Sequence, residues 1–140
     1  MKSKLKRTIV LILLLAVCLS SSAYASPKAS QYISSYSAYV YPTGRGNMQI
    51  WFDITGTGKV DLIGSTSIYL YEYNNGSWTH VKTFRNTDYP NMLKTNTFYH
   101  SGYLSYSGTS GKYYYANVGL WAEKGGSGDS RSYITASVLA

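Results

Sequence analysis

The sequence has 140 residues, with 13 Lys and Arg against 6 Asp and Glu, one Cys and 16 Tyr, for a formal net charge of +7. That length holds one domain of ordinary size and excludes a second catalytic domain. After residue 25 no apolar run approaches the roughly 20 residues of a membrane helix, which predicts a soluble chain with no stable membrane insertion.

Lys2, Lys4, Lys6 and Arg7 precede the apolar run Ile9 to Leu19, followed by Ser20, Ser21, Ser22 and the small-x-small triplet Ala23-Tyr24-Ala25. This is the layout of an export signal, so residues 1–25 are expected to be cleaved before Ser26, leaving one secreted, extracellular domain over 26–140. Cleavage removes those four basic residues, Tyr24 and the lone Cys18, which leaves a net charge of +3 and no thiol. Disulfides, thiol catalysis and Cys metal sites leave with Cys18. Leu15-Ala16-Val17-Cys18 has the outline of a lipoprotein signal, but Val17 stands where that processing wants a small residue, so lipidation at Cys18 ranks second to simple secretion. The remaining basic residues, from Lys28 to Arg131, are evenly spread and form no nucleic-acid footprint.

Strand patterns dominate the rest. A strand is expected over 32–41, ending at Pro42-Thr43-Gly44. Met48, Ile50, Phe52 and Ile54 alternate with polar or aromatic positions, the period of two of a half-buried strand. Ser67 to Tyr73 and Trp78 to Phe84 flank Asn74-Asn75-Gly76-Ser77, a hairpin turn in which Asn and Gly tolerate positive φ. Further strands are expected over 97–106, 112–123 and 131–138, separated by Ser107 to Gly111 and by Gly125 to Asp129. The sum is an all-β chain, a single antiparallel immunoglobulin-like β-sandwich of about seven strands. Its expected inward positions are Met48, Ile50, Phe52, Ile54, Ile68, Leu70, Val81, Leu104, Tyr114, Ala116, Val118, Leu120, Ile134, Ala136 and Val138.

Tyr114-x-Ala116-x-Val118-x-Leu120, followed by a Gly-rich turn into a last strand, resembles the tyrosine corner of immunoglobulin-like and fibronectin-type domains. Over a longer span, Tyr36-Ser37-Ala38-Tyr39-Val40-Tyr41-Pro42, Ile50 to Gly58, Thr66 to Glu72 and Gly128-Asp129-Ser130-Arg131 together resemble an uncharacterised family of small secreted proteins from Gram-positive bacteria, a domain of unknown function. The resemblance implies export from a Gram-positive cell and brings no catalytic residues.

The hairpin carries the candidate site. With Tyr73 opposite Trp78, the same face places Tyr71 beside His80, Tyr69 beside Lys82 and Ser67 beside Phe84, while Ile68, Leu70, Val81 and Thr83 take the other. If the aliphatic face is the core, Tyr69, Tyr71, Tyr73 and Trp78 stand in solvent, and Trp121, with Tyr113 and Tyr115, extends the row from a neighbouring strand. Trp51 falls on the other sheet. Exposed sheet aromatics bind sugars by stacking, and protein partners by burial of large rigid rings. A structural account competes and comes first: Tyr is a good strand former, and cross-strand aromatic pairs stabilise a sheet by roughly 0.2 to 1 kcal/mol each.

Catalytic and cofactor signatures are weak. His80 and His100 are the only histidines, in no metal-ligand spacing, so no metal and no cofactor are expected. No G-x-S-x-G elbow accompanies the many serines. Asp53, Asp61, Glu72, Asp88, Glu123 and Asp129 are a thin supply for a carboxylate pair. Gly125 to Asp129 occurs once and has Ser130 where a calcium nonapeptide needs Asp, so it reads as a turn. The sequence therefore predicts a secreted, non-enzymatic β-sandwich protein that binds cell-wall carbohydrate or a surface protein. A bacteriocin-like antimicrobial protein is the alternative, and a small secreted hydrolase the last.

Overall fold

The computed structural model describes residues 30–140; the expected export signal and Cys18 lie outside the described residues. The strands are β1 (Ile33–Gly44), β2 (Asn47–Asn74), β3 (Ser77–Arg85), β4 (Leu93–Ser107), β5 (Tyr113–Lys124), β6 (Ser127–Ile134) and β7 (Val138–Leu139), with a 3-10 turn at Pro90–Met92. All pairings are antiparallel and all strands belong to one sheet. No α-helix occurs among the described residues.

The architecture follows from β2, a strand of 28 residues. The strands expected separately over 47–54 and 67–73 are its two ends. Its first half lies between β1 and β4, and its second between β5 and β3. At Leu62 to Gly64 it bonds β4 on one edge and β5 on the other, so β1 and β5 share one edge and β4 and β3 share the other. A straight strand of this length would span roughly 90 Å; β2 instead curls, and β1 packs face to face against β5 and β6 without pairing to them. Tyr36 of β1 meets Tyr133 of β6 edge to face at 6.2 Å across that closure.

Two register shifts in β2, between Thr55 and Val60 and between Ser65 and Ser67, explain how one strand serves both halves. A bulge turns the strand and flips which alternate positions face inward. The buried series Met48, Ile50, Phe52, Ile54 resumes with Val60, moves to odd positions at Ile63 and Ser65, then returns to even ones at Ile68 and Leu70. Gly64 sits at the crossing with φ +150°, where a Cβ would lie 2.1 Å from the Met92 carbonyl oxygen, so only glycine fits. Ser65 is fully buried and donates its hydroxyl proton to the Gly119 carbonyl at 3.0 Å.

The inner faces of β1, β2, β4 and β5 supply the core, with Ala116, Val118 and Ala122 of β5 lying beside Leu70, Ile68 and Ile63 of β2 on one face. Tyr114 is wholly buried at the start of β5. Its hydroxyl accepts the Thr109 N–H at 2.7 Å and donates to the Glu72 carboxylate, folding the loop after β4 back onto the sheet. Burial, then the bond to Glu72, pushes the Tyr114 phenol above its ordinary pKa of 10.0. At the other end, Asp129 ties down the start of the described chain. One of its oxygens accepts the Tyr32 N–H at 2.6 Å, the Gln31 N–H at 2.5 Å and the Ser30 hydroxyl at 3.1 Å. Those bonds, the Tyr32 amide foremost, hold its carboxyl below the ordinary 3.8.

Two expectations about side-chain direction are corrected. A bulge at Val81 shifts the β2–β3 register, so Tyr69 lies beside Thr83 rather than Lys82, and Phe84 pairs with Ile68 rather than Ser67. Phe84 thereby turns inward and is buried, with Lys82 Nζ 5.4 Å from its ring centre. The final strand also starts earlier than expected. β6 follows β5 through a tight Gly125-Gly126 turn, which places Ile134 opposite Asn117 on the outer face, 66% exposed. Thr135 is buried there instead, and its hydroxyl accepts the Ala116 N–H at 3.0 Å.

Candidate functional site

The hairpin turn forms as its sequence requires. Asn75 and Gly76 take φ of 49° and 85°, and Tyr73 pairs with Trp78 and Tyr71 with His80. Because Ile68 and Leu70 are buried on one side, Tyr69, Tyr71 and Tyr73 emerge on the other, beside Tyr115 of β5, which pairs directly with Tyr71.

Six rings touch in one series across three strands. Tyr73 tilts against Trp78 at 5.1 Å, Trp78 meets Tyr115 edge to face at 4.7 Å, and Tyr115 stacks on Tyr71 at 4.9 Å with planes 8° apart. His80 continues it, 5.5 Å from Tyr71 and 6.1 Å from Tyr69, with Nε2 2.8 Å from the Thr83 hydroxyl. Tyr73 and Trp78 stay 41% and 40% exposed while Tyr69, Tyr71 and Tyr115 are half-buried against their neighbours. Each contact contributes about 0.5 to 1.5 kcal/mol beyond simple area burial. Rings held this way lose little freedom on meeting a ligand.

Trp121 stands apart from that series. It lies six residues along β5 from Tyr115, roughly 20 Å away, and touches none of its rings. Its indole covers Gly128, where a Cβ would fall 2.0 Å from the ring, and its N–H donates to Glu123 at 3.3 Å. Of the expected ligand-binding aromatics, Tyr69, Tyr71, Tyr73 and Trp78 are brought together, Tyr115 joins them, and Trp121 packs on its own hairpin.

Five of the carboxylates have hydrogen-bond partners within the fold. Asp53 accepts the Tyr99 hydroxyl at 2.9 Å, Asp61 accepts the Gly125 N–H at 2.7 Å, and Glu72, Glu123 and Asp129 are engaged by Tyr114, Trp121 and the 30–32 segment. Among the described residues no three of His, Cys, Asp and Glu are gathered in a metal-holding group.

A second aromatic row occupies the outer face of the other half of the sheet, and strand parity did not by itself assemble it. Tyr39, Trp51 and Tyr103 lie directly opposite one another on β1, β2 and β4. Tyr39 and Trp51 are 6.0 Å apart with planes within 6°, and Trp51 and Tyr103 are 4.6 Å apart at 31°. The Arg45-Gly46 turn fixes the β1–β2 register that aligns the first pair; the third member depends on the long-range pairing of β4, for which the sequence holds no local cue.

No family model and no curated protein matches the sequence. Among solved structures, the chain is similar to "Crystal Structure of a family 76 glycoside hydrolase from a bovine Bacteroides thetaiotaomicron strain", at 16% identity and a TM-score of 0.32 over 77% of this chain. The match spans 20% of that enzyme, about a fifth of its length, and at such a score the two chains need share no fold.

Proposed function

We propose that the protein is an exported, non-enzymatic binding domain that holds cell-wall carbohydrate on the outer face of the β2–β3–β5 sheet. The observation that carries this reading is the unbroken series Tyr69, His80, Tyr71, Tyr115, Trp78, Tyr73, an array of ring faces and edges presented beside the hydroxyl of Thr83. Sugar C–H groups pack against the electron-rich faces of such rings, and tyrosyl and hydroxyl groups meet the sugar hydroxyls. Five carboxylates already bound by hydrogen bonds within the fold favour binding over hydrolysis, since glycoside cleavage needs two carboxyl groups free to act across one bond. Export rests on residues 1–25, and the Gram-positive setting on the resemblance of the strand motifs.

An immunoglobulin-like arrangement is part of the proposal. Tyr114 supports it, because its hydroxyl binds the Thr109 N–H five residues upstream, the hydrogen bond of a tyrosine corner. The continuous β2 shared by both halves is the departure from that pattern.

Retention of the purified protein on insoluble peptidoglycan, chitin and cellulose tests the reading. Binding to at least one is expected, with Trp78→Ala and Tyr115→Ala each lowering retention about tenfold, the equivalent of ~1.4 kcal/mol. Retention on none of the three would overturn it, as would retention unchanged in both variants.

A further inference from the structure

We infer that the domain has a second carbohydrate site, a cleft at the free edge of β4 built on Trp51 and Tyr103. The cleft measures about 560 Å³ and is lined by Trp51, Asn91, His100, Ser101, Gly102 and Tyr103. That volume lies within the roughly 300 to 1,000 Å³ of small-molecule sites.

Its chemistry selects a neutral, polyhydroxylated occupant. Trp51 and Tyr103 form one aromatic wall, 4.6 Å apart, and Tyr39 continues it on the far side of Trp51. Tyr39 and Tyr103 are 46% and 45% exposed, whereas the indole N–H of Trp51 is held by the Gln49 side-chain Oε1 at 3.1 Å, which fixes the ring. The remaining lining is small or polar without fixed charge. His100 Nε2 lies 2.9 Å from the Asn91 carbonyl oxygen, so it carries its proton and donates. Asp53, the cross-strand partner of the lining residue Ser101, already accepts the Tyr99 hydroxyl at 2.9 Å. An anionic ligand would find no cation among the lining residues, while a sugar ring finds stacking faces and hydrogen-bonding groups. Among the described residues β4 pairs only with β2, so its outer edge offers unpaired backbone N–H and C=O groups beside the cleft. Gly102 lets the edge stay thin, since the Phe52 ring fills the space under it and a Cβ would lie 2.9 Å from that ring.

The site stands on residues separate from the hairpin face and on the other side of the core. If both faces are filled, a consequence that rests on the reading above, one domain joins two glycan chains.

The experiment is a titration of Trp51 fluorescence in the Trp78→Phe, Trp121→Phe protein with chitohexaose and cellohexaose. A saturable change is expected with at least one of them. Ser101→Arg, which fills the cleft from a half-exposed position without touching the core, should weaken it at least tenfold, and Trp51→Phe, which keeps an aromatic wall, should retain hexasaccharide binding measured by calorimetry. No saturable change with either hexasaccharide overturns the inference, and so does a Kd indifferent to Ser101→Arg. If Tyr115→Ala abolishes hexasaccharide binding while Ser101→Arg does not, the hairpin site stands and the cleft falls; the reverse result retains the cleft and removes the hairpin site.

Discussion

Replacing Tyr114 by Phe should destabilise the domain by about 2 kcal/mol while leaving its packing intact. The ring is wholly buried, and its hydroxyl is the only atom removed. That atom satisfies the Thr109 N–H and donates to the Glu72 carboxylate. A hydrogen bond to a charged partner contributes about 1.5 to 3 kcal/mol and a neutral one about 1. Glu72 is half-buried and can recover part of its loss by taking up water, which brings the sum down to about 2. For a domain of this size that corresponds to a fall in Tm of about 8 °C. Urea unfolding at fixed pH measures it, with an unchanged m-value showing that the native and unfolded states keep their compactness. The pH dependence gives an independent check. The folded-state pKa of Tyr114 is raised above 10.0, so its contribution is fully present below pH 10 and is lost as pH rises through the folded value. The gap between wild type and Tyr114→Phe should be flat from pH 6 to 9 and narrow above about 10. A difference under 0.5 kcal/mol, or a gap that widens in alkali, would refute the account of this corner.

Three further outcomes follow from the same geometry. Asp129 has a lowered folded-state pKa, so its stabilisation is present above the ordinary 3.8 and is lost as pH falls through the lower folded value; Asp129→Asn, compared with wild type at neutral pH, should selectively speed amide exchange at Gln31 and Tyr32. Gly64→Ala forces a Cβ to 2.1 Å from the Met92 carbonyl oxygen at φ +150° and should cost about 3 kcal/mol or more, read as a large drop in Tm or in soluble yield. Ile134→Ser, at a position 66% exposed, should change stability by no more than about 0.5 kcal/mol in urea unfolding, whereas an inward Ile134 would have cost several times that.

What could be read in advance was local. The Asn75-Gly76 turn fixed Tyr73 opposite Trp78 and sent Ile68 and Leu70 to the core, which left Tyr69, Tyr71 and Tyr73 outside. Tyr114 could be placed because a large polar aromatic opening an alternating strand needs a partner for its hydroxyl. The residues that escaped were governed by bulges and by long-range pairing. One extra residue at Val81 reversed the sides of Thr83 and Phe84, and no residue type marks such a position. The glycines between Thr55 and Ser65 look like turn residues, yet here they let one strand bend and cross between two sets of partners. Alternation alone points Ile134 inward, but the early start of β6 decides its face, and Trp121 packs on Gly128 across that same hairpin.

The central claim is that the hairpin aromatics serve binding as well as folding, and paired isotherms and melts of Trp78→Ala separate the two. Loss of its contacts with Tyr73 and Tyr115 should cost about 2 kcal/mol and about 8 °C in Tm, which leaves the protein folded at 25 °C. Affinity for the polysaccharide that retains the wild type should then fall about tenfold in the still-folded variant. A melting temperature lowered by that amount together with a superimposable isotherm would contradict the claim and make the aromatic series a device for holding the sheet together.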